Sequence, residues 1–488
     1  MKINDETCYR ALVARDTRFD GLFYVGVTTT GIYCRPICSA RTPSPGRCRF
    51  FSNSALAEQE GFRPCLRGRP ELAPGHAPVD AVPRMARAAA RRIEAGALND
   101  GRGLERLAQD LGTSTRQLRR AVCREFGVSP VELAQTQRLL LAKQLLTESS
   151  LPIIQVAFAS GFESVRRFNA LFRSHYRLTP TRMRRATTRR GGDCVRLTLA
   201  YRPPLAWPEL LRFLQGRATQ GVEHVDGDTY ARTAVVGDHR GWLKVRPNAG
   251  KNTLSIEVAT SLVPALPEVL ARVKSLFDLH ARPDVIASHL ADDARLGRVA
   301  ARCPGLRVPG AFDGLELVVR AILGQRVSVK AATSLAGRLV GRLGEPIETP
   351  VAALHRLFPS PARLAAVDEA ELRSLGISGS RAATIRAVAQ AVLVGQIDLE
   401  PSPDPERVIA KLQELPGIGD WTAQYIAMRA LRWPDAFPAG DLGLLKAMGE
   451  KSVQRLRDTG ESWRPWRAYA AMYLWESLRL NNGENRDV

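Results

Sequence analysis

LPGIGDWTAQYIAMRALRWPDAFPAGD, residues 415–441, decides how the rest of the chain is read. Gly417 and Gly419 interrupt a helical pattern and leave backbone N–H groups free to face an anion. A second helix begins near Asp420, with Tyr425, Ile426, Met428 and Leu431 at helical spacing, and a proline-rich loop then delivers Asp441. The expectation is a hairpin of two helices that grips a phosphate without reading a base. A carboxylate stands one helix and one loop away. A bare Gly-x-Gly also fits a helix C-cap with a tight turn; the spacing to Asp441 separates the two readings.

The whole run resembles the helix-hairpin-helix (HhH-GPD) superfamily of DNA base-excision glycosylases, and most of all its AlkA branch, 3-methyladenine DNA glycosylase II. The resemblance implies a glycosylase that turns an alkylated nucleotide out of duplex DNA and hydrolyses its N-glycosidic bond, with 3-methyladenine and 7-methylguanine as the type of base released. Such bases carry positive charge and leave without a strong general acid. Asp441 would therefore stabilise the oxocarbenium-like sugar and orient or deprotonate water. Trp421, Tyr425 and Trp475 match aromatic positions of that family's pocket, where electron-rich faces attract a cationic base. FDGLELVVRAILGQRVSVKAATSLAGRLV, residues 312–340, resembles the segment carrying the residue wedged into the DNA. The wedge falls on Arg326, where the family pattern is apolar; arginine can stack on bases or hold phosphates.

Two further features narrow the reaction. Relatives that also cut the backbone carry a Schiff-base lysine early in the second hairpin helix, at the position of Trp421. Iron–sulfur relatives carry four cysteines after the catalytic aspartate, whereas no cysteine follows Cys303. The expectation is a monofunctional glycosylase without an iron–sulfur cluster.

Upstream, strand-like VRLTLAYRPP, YARTAVV, GWLKVRP and NTLSIEVA alternate with helices at 208–215 and 266–277. This pattern predicts an α+β unit over 193–300 with no catalytic residue of its own; LAYRPPLAW and HVDGDTYAR resemble the N-terminal domain of the AlkA branch. Residues 301–480 read as the all-α helix-hairpin-helix glycosylase domain.

The 488 residues carry a net charge of +21 and a pI near 10.2, which calls for a polyanionic partner. Nucleic acid and an acidic membrane surface both satisfy the charge. No apolar run is long enough to span a bilayer and no signal-peptide core opens the chain, so a cytoplasmic, DNA-associated bacterial protein with no membrane partner is expected. Of eight cysteines, five (Cys8, Cys34, Cys38, Cys48 and Cys65) fall within the first 65 residues. That clustering asks for metal or thiol chemistry, whereas Cys123, Cys194 and Cys303 read as small core residues.

Residues 1–80 read as a short helix at 7–15, strand-like FYVGVTTTGIYC, a turn-rich Cys-x3-Cys, the strand CRFF and a helix at 54–60. The expected unit is a small α+β domain stapled by zinc. TTTGIYCRPIC (28–38) and GFRPCLR (61–67) resemble the N-terminal domain of the Ada adaptive-response family, which repairs methylphosphotriesters in DNA. By that resemblance Cys34 accepts the methyl group, and Cys34, Cys38 and Cys65 bind Zn2+, which keeps thiols deprotonated at neutral pH. Gly68 stands where the family has its fourth cysteine. Cys48, water or another residue completes the shell, or zinc binds weakly and sensing is impaired.

After the linker PELAPGHAPVDAVP, residues 84–190 hold 21 Lys and Arg against 8 Asp and Glu. Over 81–190 two helix-turn-helix patterns follow one another. The first buries Leu104, Leu107, Ala108 and Leu111, turns at Gly112, and continues through Leu118 and Val122 with Ser114 or Thr115 as cap. Arg116, Gln117, Arg119 and Arg120 are left outward. The second is expected to bury Ile154, Ala157 and Phe158, turn at Gly161, and pack through Phe168, Leu171 and Phe172, with Ser164, Arg166, Arg167 and Asn169 outward for phosphates and base edges. The tandem resembles the AraC-type DNA-binding domain, which implies promoter DNA as a partner and adds RNA polymerase as a candidate. RRGGD at 189–193 closes the segment.

The expectation is a multidomain chain: a small α+β zinc-type domain, an all-α tandem helix-turn-helix domain, an α+β domain and an all-α glycosylase domain. Its partners are double-stranded, alkylated and promoter DNA, and it acts as a regulator of the alkylation response. Two alternatives remain at the level of sequence: a transcription factor whose C-terminal half only binds DNA, and a repair enzyme whose altered sensor serves DNA affinity alone.

Overall fold

In the computed structural model the described residues are 3–75, 77, 84–99, 103–184 and 192–484. Most of the linker after Gly75 and the basic boundary at 185–191 therefore lie outside the described residues.

The first sheet has β1 (Tyr24–Val27), β2 (Ile32–Cys34), β3 (Cys48–Phe51) and β4 (Arg63–Pro64) in the order β3-β1-β2-β4. The run at 23–34 is thus not one strand. Gly31, at φ 62°, closes a hairpin that pairs Val27 with Ile32, because the three threonines before it form a turn. The hairpin sets up the cysteines. Cys34 ends β2, and β4 runs parallel to β2, so that Cys65 N–H donates to Tyr33 O at 2.9 Å.

In the tandem helix-turn-helix, helices Gly103–Asp110 and Thr115–Phe126 are joined by the long helix Pro130–Glu148 to Ile153–Ala159 and Val165–Tyr176. Ser114 and Ser129 form reciprocal capping boxes with Gln117 and Glu132, and Gly112 and Gly161 turn with positive φ. One expectation fails here. Ile154 and Phe158 are 57% and 50% exposed, while Val156, Ala157 and Ala159 are buried. The helix starts one residue after Pro152, and its short inner face is set by Val156 and Ala157. Cys123 is also exposed rather than in the core.

The second sheet comprises β5 (Cys194–Ala200), β6 (Glu223–Asp226), β7 (Thr229–Val236), β8 (His239–Pro247) and β9 (Thr253–Ala259). Its order is β5-β9-β8-β7-β6, antiparallel throughout. Val195, Leu197 and Leu199 alternate inward along β5. They join one apolar core with Leu139 of helix Pro130–Glu148, Phe168 and Phe172 of the second helix-turn-helix, and Val269 and Val273 of helix Leu266–Leu276. Helix Gly314–Leu323 packs against Val329–Leu343, Gly379–Leu393 and Asp420–Arg429, and its eight residues from Leu315 to Leu323 other than Arg320 are buried.

Buried cations join the N-terminal part to the rest. Arg202 is fully buried and donates to the carbonyls of Asp20 (2.9 Å), Gly75 (2.8 Å), Pro74 (3.2 Å) and His280 (2.7 Å). Lys143, on the helix between the two DNA-binding motifs, donates to Cys65 O at 2.9 Å and pairs with Glu71. Among the described residues, no helix is long and apolar enough to cross a membrane.

Candidate active site and metal centre

The hairpin is built by helices Pro405–Gln413 and Asp420–Arg429. Gly417 has φ 89°, and a Cβ there would lie 2.2 Å from Thr384 Oγ1, so the close approach to Thr384 requires glycine. Thr384 Oγ1 in turn donates to Pro416 O at 2.9 Å. Gly419 caps the second helix without any side-chain acceptor for its first-turn N–H groups, and the space beside its Cα is open. This leaves a helix N-terminus facing outward, suited to a phosphate.

The loop before Ser328 is tied to the hairpin. Gln325 Nε2 donates to Gly417 O at 2.8 Å and to Thr422 Oγ1 at 3.0 Å, and Arg381 donates to Gln325 O. Arg326 follows at φ 54°, exposed beside the half-exposed Val327 and Val329. A left-handed arginine at a loop tip is held by its neighbours rather than by its own preference.

Asp441 is the N-cap of helix Leu442–Met448, its Oδ1 accepting from Leu444 N–H at 3.1 Å. The same oxygen accepts from Trp475 Nε1 at 2.9 Å, and Oδ2 accepts from Trp421 Nε1 at 3.0 Å. Two indoles from different helices thus fix both oxygens of one carboxylate. Trp421 stacks on Tyr425 with centroids 5.5 Å apart and planes 12° from parallel, and Tyr425 meets Trp475 edge-on at 6.4 Å. All four residues line a cleft of about 1470 Å³ that also takes in Gly417, Gly419, Arg326 and Leu442. The hairpin, the loop tip, the aromatics and the carboxylate therefore share one opening.

Sequence reasoning missed the back of this cleft. Arg217, from the α+β unit, lines it with its guanidinium 3.8 Å from the Phe213 centroid. Arg429 Nη1 donates to Tyr425 Oη at 2.6 Å, and Arg320 donates to Arg217 O. Burial pushes the Tyr425 phenol up, but Arg429, Arg217 and Arg320 outweigh it and bring it below the ordinary tyrosine value. Arg429 lies one turn beyond Tyr425 and was findable by its i, i+4 spacing. Arg217 lies more than two hundred residues away in the chain and left no local signal.

In the DNA-binding region, Arg116, Arg119, Arg120, Arg166, Arg167 and Asn169 are exposed, as are Gln117 and Ser164. Gln117 and Ser164 are partly committed. Gln117 Oε1 accepts from Ser114 N–H, and Ser164 Oγ accepts from Arg167 N–H at 3.3 Å.

The sulfurs of Cys34, Cys38 and Cys65 lie within 4.8 Å of one another and form a candidate metal centre. Cys48 does not join them: its thiol donates to Ser44 O at 3.4 Å and packs with Cys8, Phe23 and Phe50. Hydrogen bonds from Cys34 and Cys38, together with the Gly68 and Arg67 N–H groups, draw the Cys65 thiol below the ordinary thiol range, while the hydrogen bonds that Cys34 makes to Cys38 and Cys65 push Cys34 up. A second group, Glu209, Cys303 and Glu476, is engaged by Arg212 and Arg479.

Comparison with known proteins matches four families along the chain. Residues 7–71 match the metal binding domain of Ada, 107–186 a helix-turn-helix domain, 196–313 the AlkA N-terminal domain, and 319–459 the HhH-GPD superfamily base excision DNA repair protein. The chain is 38% identical to a probable bifunctional transcriptional activator/DNA repair enzyme AlkA of Mycobacterium tuberculosis over 97% of this chain and 96% of that one. It is 37% identical to DNA-3-methyladenine glycosylase 2 of Escherichia coli over 57% of this chain and 96% of that one. The 3-methyladenine DNA glycosylase of Archaeoglobus fulgidus shares the fold with a TM-score of 0.50 and 21% identity, covering 58% of this chain and 98% of that one.

Proposed function

This chain belongs to the family of bifunctional transcriptional activator/DNA repair enzymes AlkA, and on that premise we propose that it releases alkylated bases from DNA at Asp441 and regulates transcription through its tandem helix-turn-helix. The observation that carries the reading is the carboxylate of Asp441 held between Trp421 and Trp475 in a cleft shared with the phosphate-gripping hairpin.

Gly417 and Gly419 hold the DNA backbone while Arg326 fills the gap left by the extruded nucleotide. The alkylated base stacks among Trp421, Tyr425 and Trp475. The C1′–N bond breaks, and its electron pair leaves with the base, discharging the positive charge the alkyl group had placed there. Asp441 faces the oxocarbenium-like sugar, stabilises it and takes a proton from the attacking water. The products are a free base and an abasic site. Trp421 occupies the place of a lyase lysine, so no Schiff base forms and the backbone stays intact. Arg166, Arg167 and Asn169 meet promoter DNA from one motif, and Arg116, Arg119 and Arg120 from the other, with RNA polymerase as the downstream partner in the cytoplasm.

Cys34 is the acceptor for a phosphotriester methyl group: an S–CH3 bond forms, the CH3–O bond breaks and a phosphodiester anion leaves. A second reading, repair with an altered sensor, is favoured by Gly68, which supplies no ligand beside the three sulfurs.

The test is release of methylated purines, followed as alkali-labile abasic sites, by the wild type and by D441N. Loss of release with retained DNA binding supports the assignment, and release by D441N overturns it.

A further inference from the structure

We propose that Cys34, Cys38 and Cys65 form a three-sulfur receptor for a thiophilic ion satisfied by three ligands, such as trivalent arsenic, rather than a four-thiolate zinc site. Gly68 leaves no room for a fourth sulfur. A Cβ there would lie 2.0 Å from Cys34 Sγ and 2.8 Å from Cys38 Sγ, so the sulfurs already fill the space a fourth cysteine would need. The Gly68 backbone is fixed in place. Its carbonyl accepts from Arg35 Nε at 2.9 Å, Arg35 is anchored to Asp20 Oδ2 at 2.9 Å, and Gly68 N–H donates to Cys65 Sγ at 3.3 Å. Arg35 and Asp20 are both buried.

No other cysteine among the described residues reaches the cluster. Cys48 is bound to Ser44 O, and Cys8 packs in the apolar group around Phe23. The donor set therefore supplies three sulfurs and no more. Metal–sulfur bonds of about 2.3 Å place three sulfurs around one ion about 4 Å apart, a spacing the 4.8 Å cluster accommodates. Three soft thiolates favour soft ions, whereas zinc in a structural site asks for a fourth ligand.

Arsenite suits the set. Three As–S bonds form as three As–O bonds break, each thiol gives its proton to a departing hydroxide, and three waters leave. Arsenic stays trivalent throughout. Its remaining lone pair requires no donor from the side where Gly68 stands.

The full-length, reduced, metal-free protein is mixed with equimolar arsenite, alone and against equimolar zinc. Binding is read by intact mass and by X-ray absorption at the arsenic and zinc edges. One arsenic per chain with three sulfur neighbours is expected, taken up in preference to zinc by at least about tenfold and lost in C38S. Because a Cβ at Gly68 would overlap Cys34 Sγ, C38S rather than a substitution at Gly68 carries the test. Arsenic uptake unchanged in C38S, arsenic with two sulfur neighbours, or one zinc held by four protein ligands in the wild type overturns the proposal.

Discussion

Trp421 Nε1 donates to Asp441 Oδ2 at 3.0 Å, while the ring that carries it stacks on Tyr425. One side chain thereby builds the pocket wall and aims the carboxylate. Trp475 does the same for Oδ1 from the opposite side. A hydrogen bond to a charged group contributes about 1.5–3 kcal/mol, so W421F and W475F should each lower kcat for base release by about 10- to 100-fold. KM should move less, because phenylalanine keeps an aromatic face. Single-turnover kinetics on methylated duplex separates the two, and an equal loss in KM alone would assign the indoles to stacking only.

The hairpin and the aspartate are legible because they lie within one short run, and the Ser114 cap because it stands just before the second helix of its motif; Trp421, Tyr425 and Trp475 are reached only through the family resemblance, since Trp475 lies far outside that run. What escaped was set by contacts distant in sequence. Arg217 reaches the cleft through the α+β unit, and the hydrogen bonds from Trp421 and Trp475 to Asp441 depend on where three helices meet. The exposure of Ile154 and Phe158 escaped for a related reason: a seven-residue helix is too short for apolar spacing to choose its inner face.

Arg326 sits at an exposed, left-handed loop tip, with Gln325 before it anchored to Gly417. A residue that fills the gap in a duplex matters only where there is a stack to fill. R326A should slow base release from duplex DNA by about tenfold and leave release from single-stranded DNA nearly unchanged. Equal losses on both substrates would reassign Arg326 to backbone contact.

Arg202 unites residues Asp20, Pro74 and Gly75 with His280 through carbonyl acceptors that nothing apolar could replace. R202A leaves those buried carbonyls without their donor, at about 1–3 kcal/mol for each group left unsatisfied. The stability of the junction should fall by at least about 3 kcal/mol. Hydrogen exchange would show it as faster exchange in residues 20–75, with the helices around Asp441 largely protected. Unchanged exchange near residue 20 would mean that Lys143 and Glu71 hold the junction alone.

His280, close to the same junction, gives the protein an acid-sensitive seam. Burial holds its imidazole at about 3, down from 6.5, against the pull of Glu94 and with Lys274, Arg91 and Arg202 adding to the depression. The neutral ring is the folded form, and unfolding lets it take a proton at every pH between about 3 and 6.5. Stability is therefore complete above 6.5 and drains away as the pH falls toward 3. Glu94 acts in the same direction lower down. Burial raises it, but Lys274, by charge and hydrogen bond, with Arg91 beside it, prevails and holds it at about 2 against an ordinary 4.5, so its contribution is lost between 4.5 and 2. His175 opposes both near neutrality, because its hydrogen bond to Glu58 raises it above 6.5 and its contribution is present at low pH and lost as the pH rises. Substituting His280 isolates its share: H280Q should flatten the fall in melting temperature from pH 6.5 down to about 3 relative to the wild type, most cleanly between 6.5 and 4.5, above the interval in which Glu94 titrates. Parallel curves for the two proteins over the upper interval would show that His280 is protonated in the folded state.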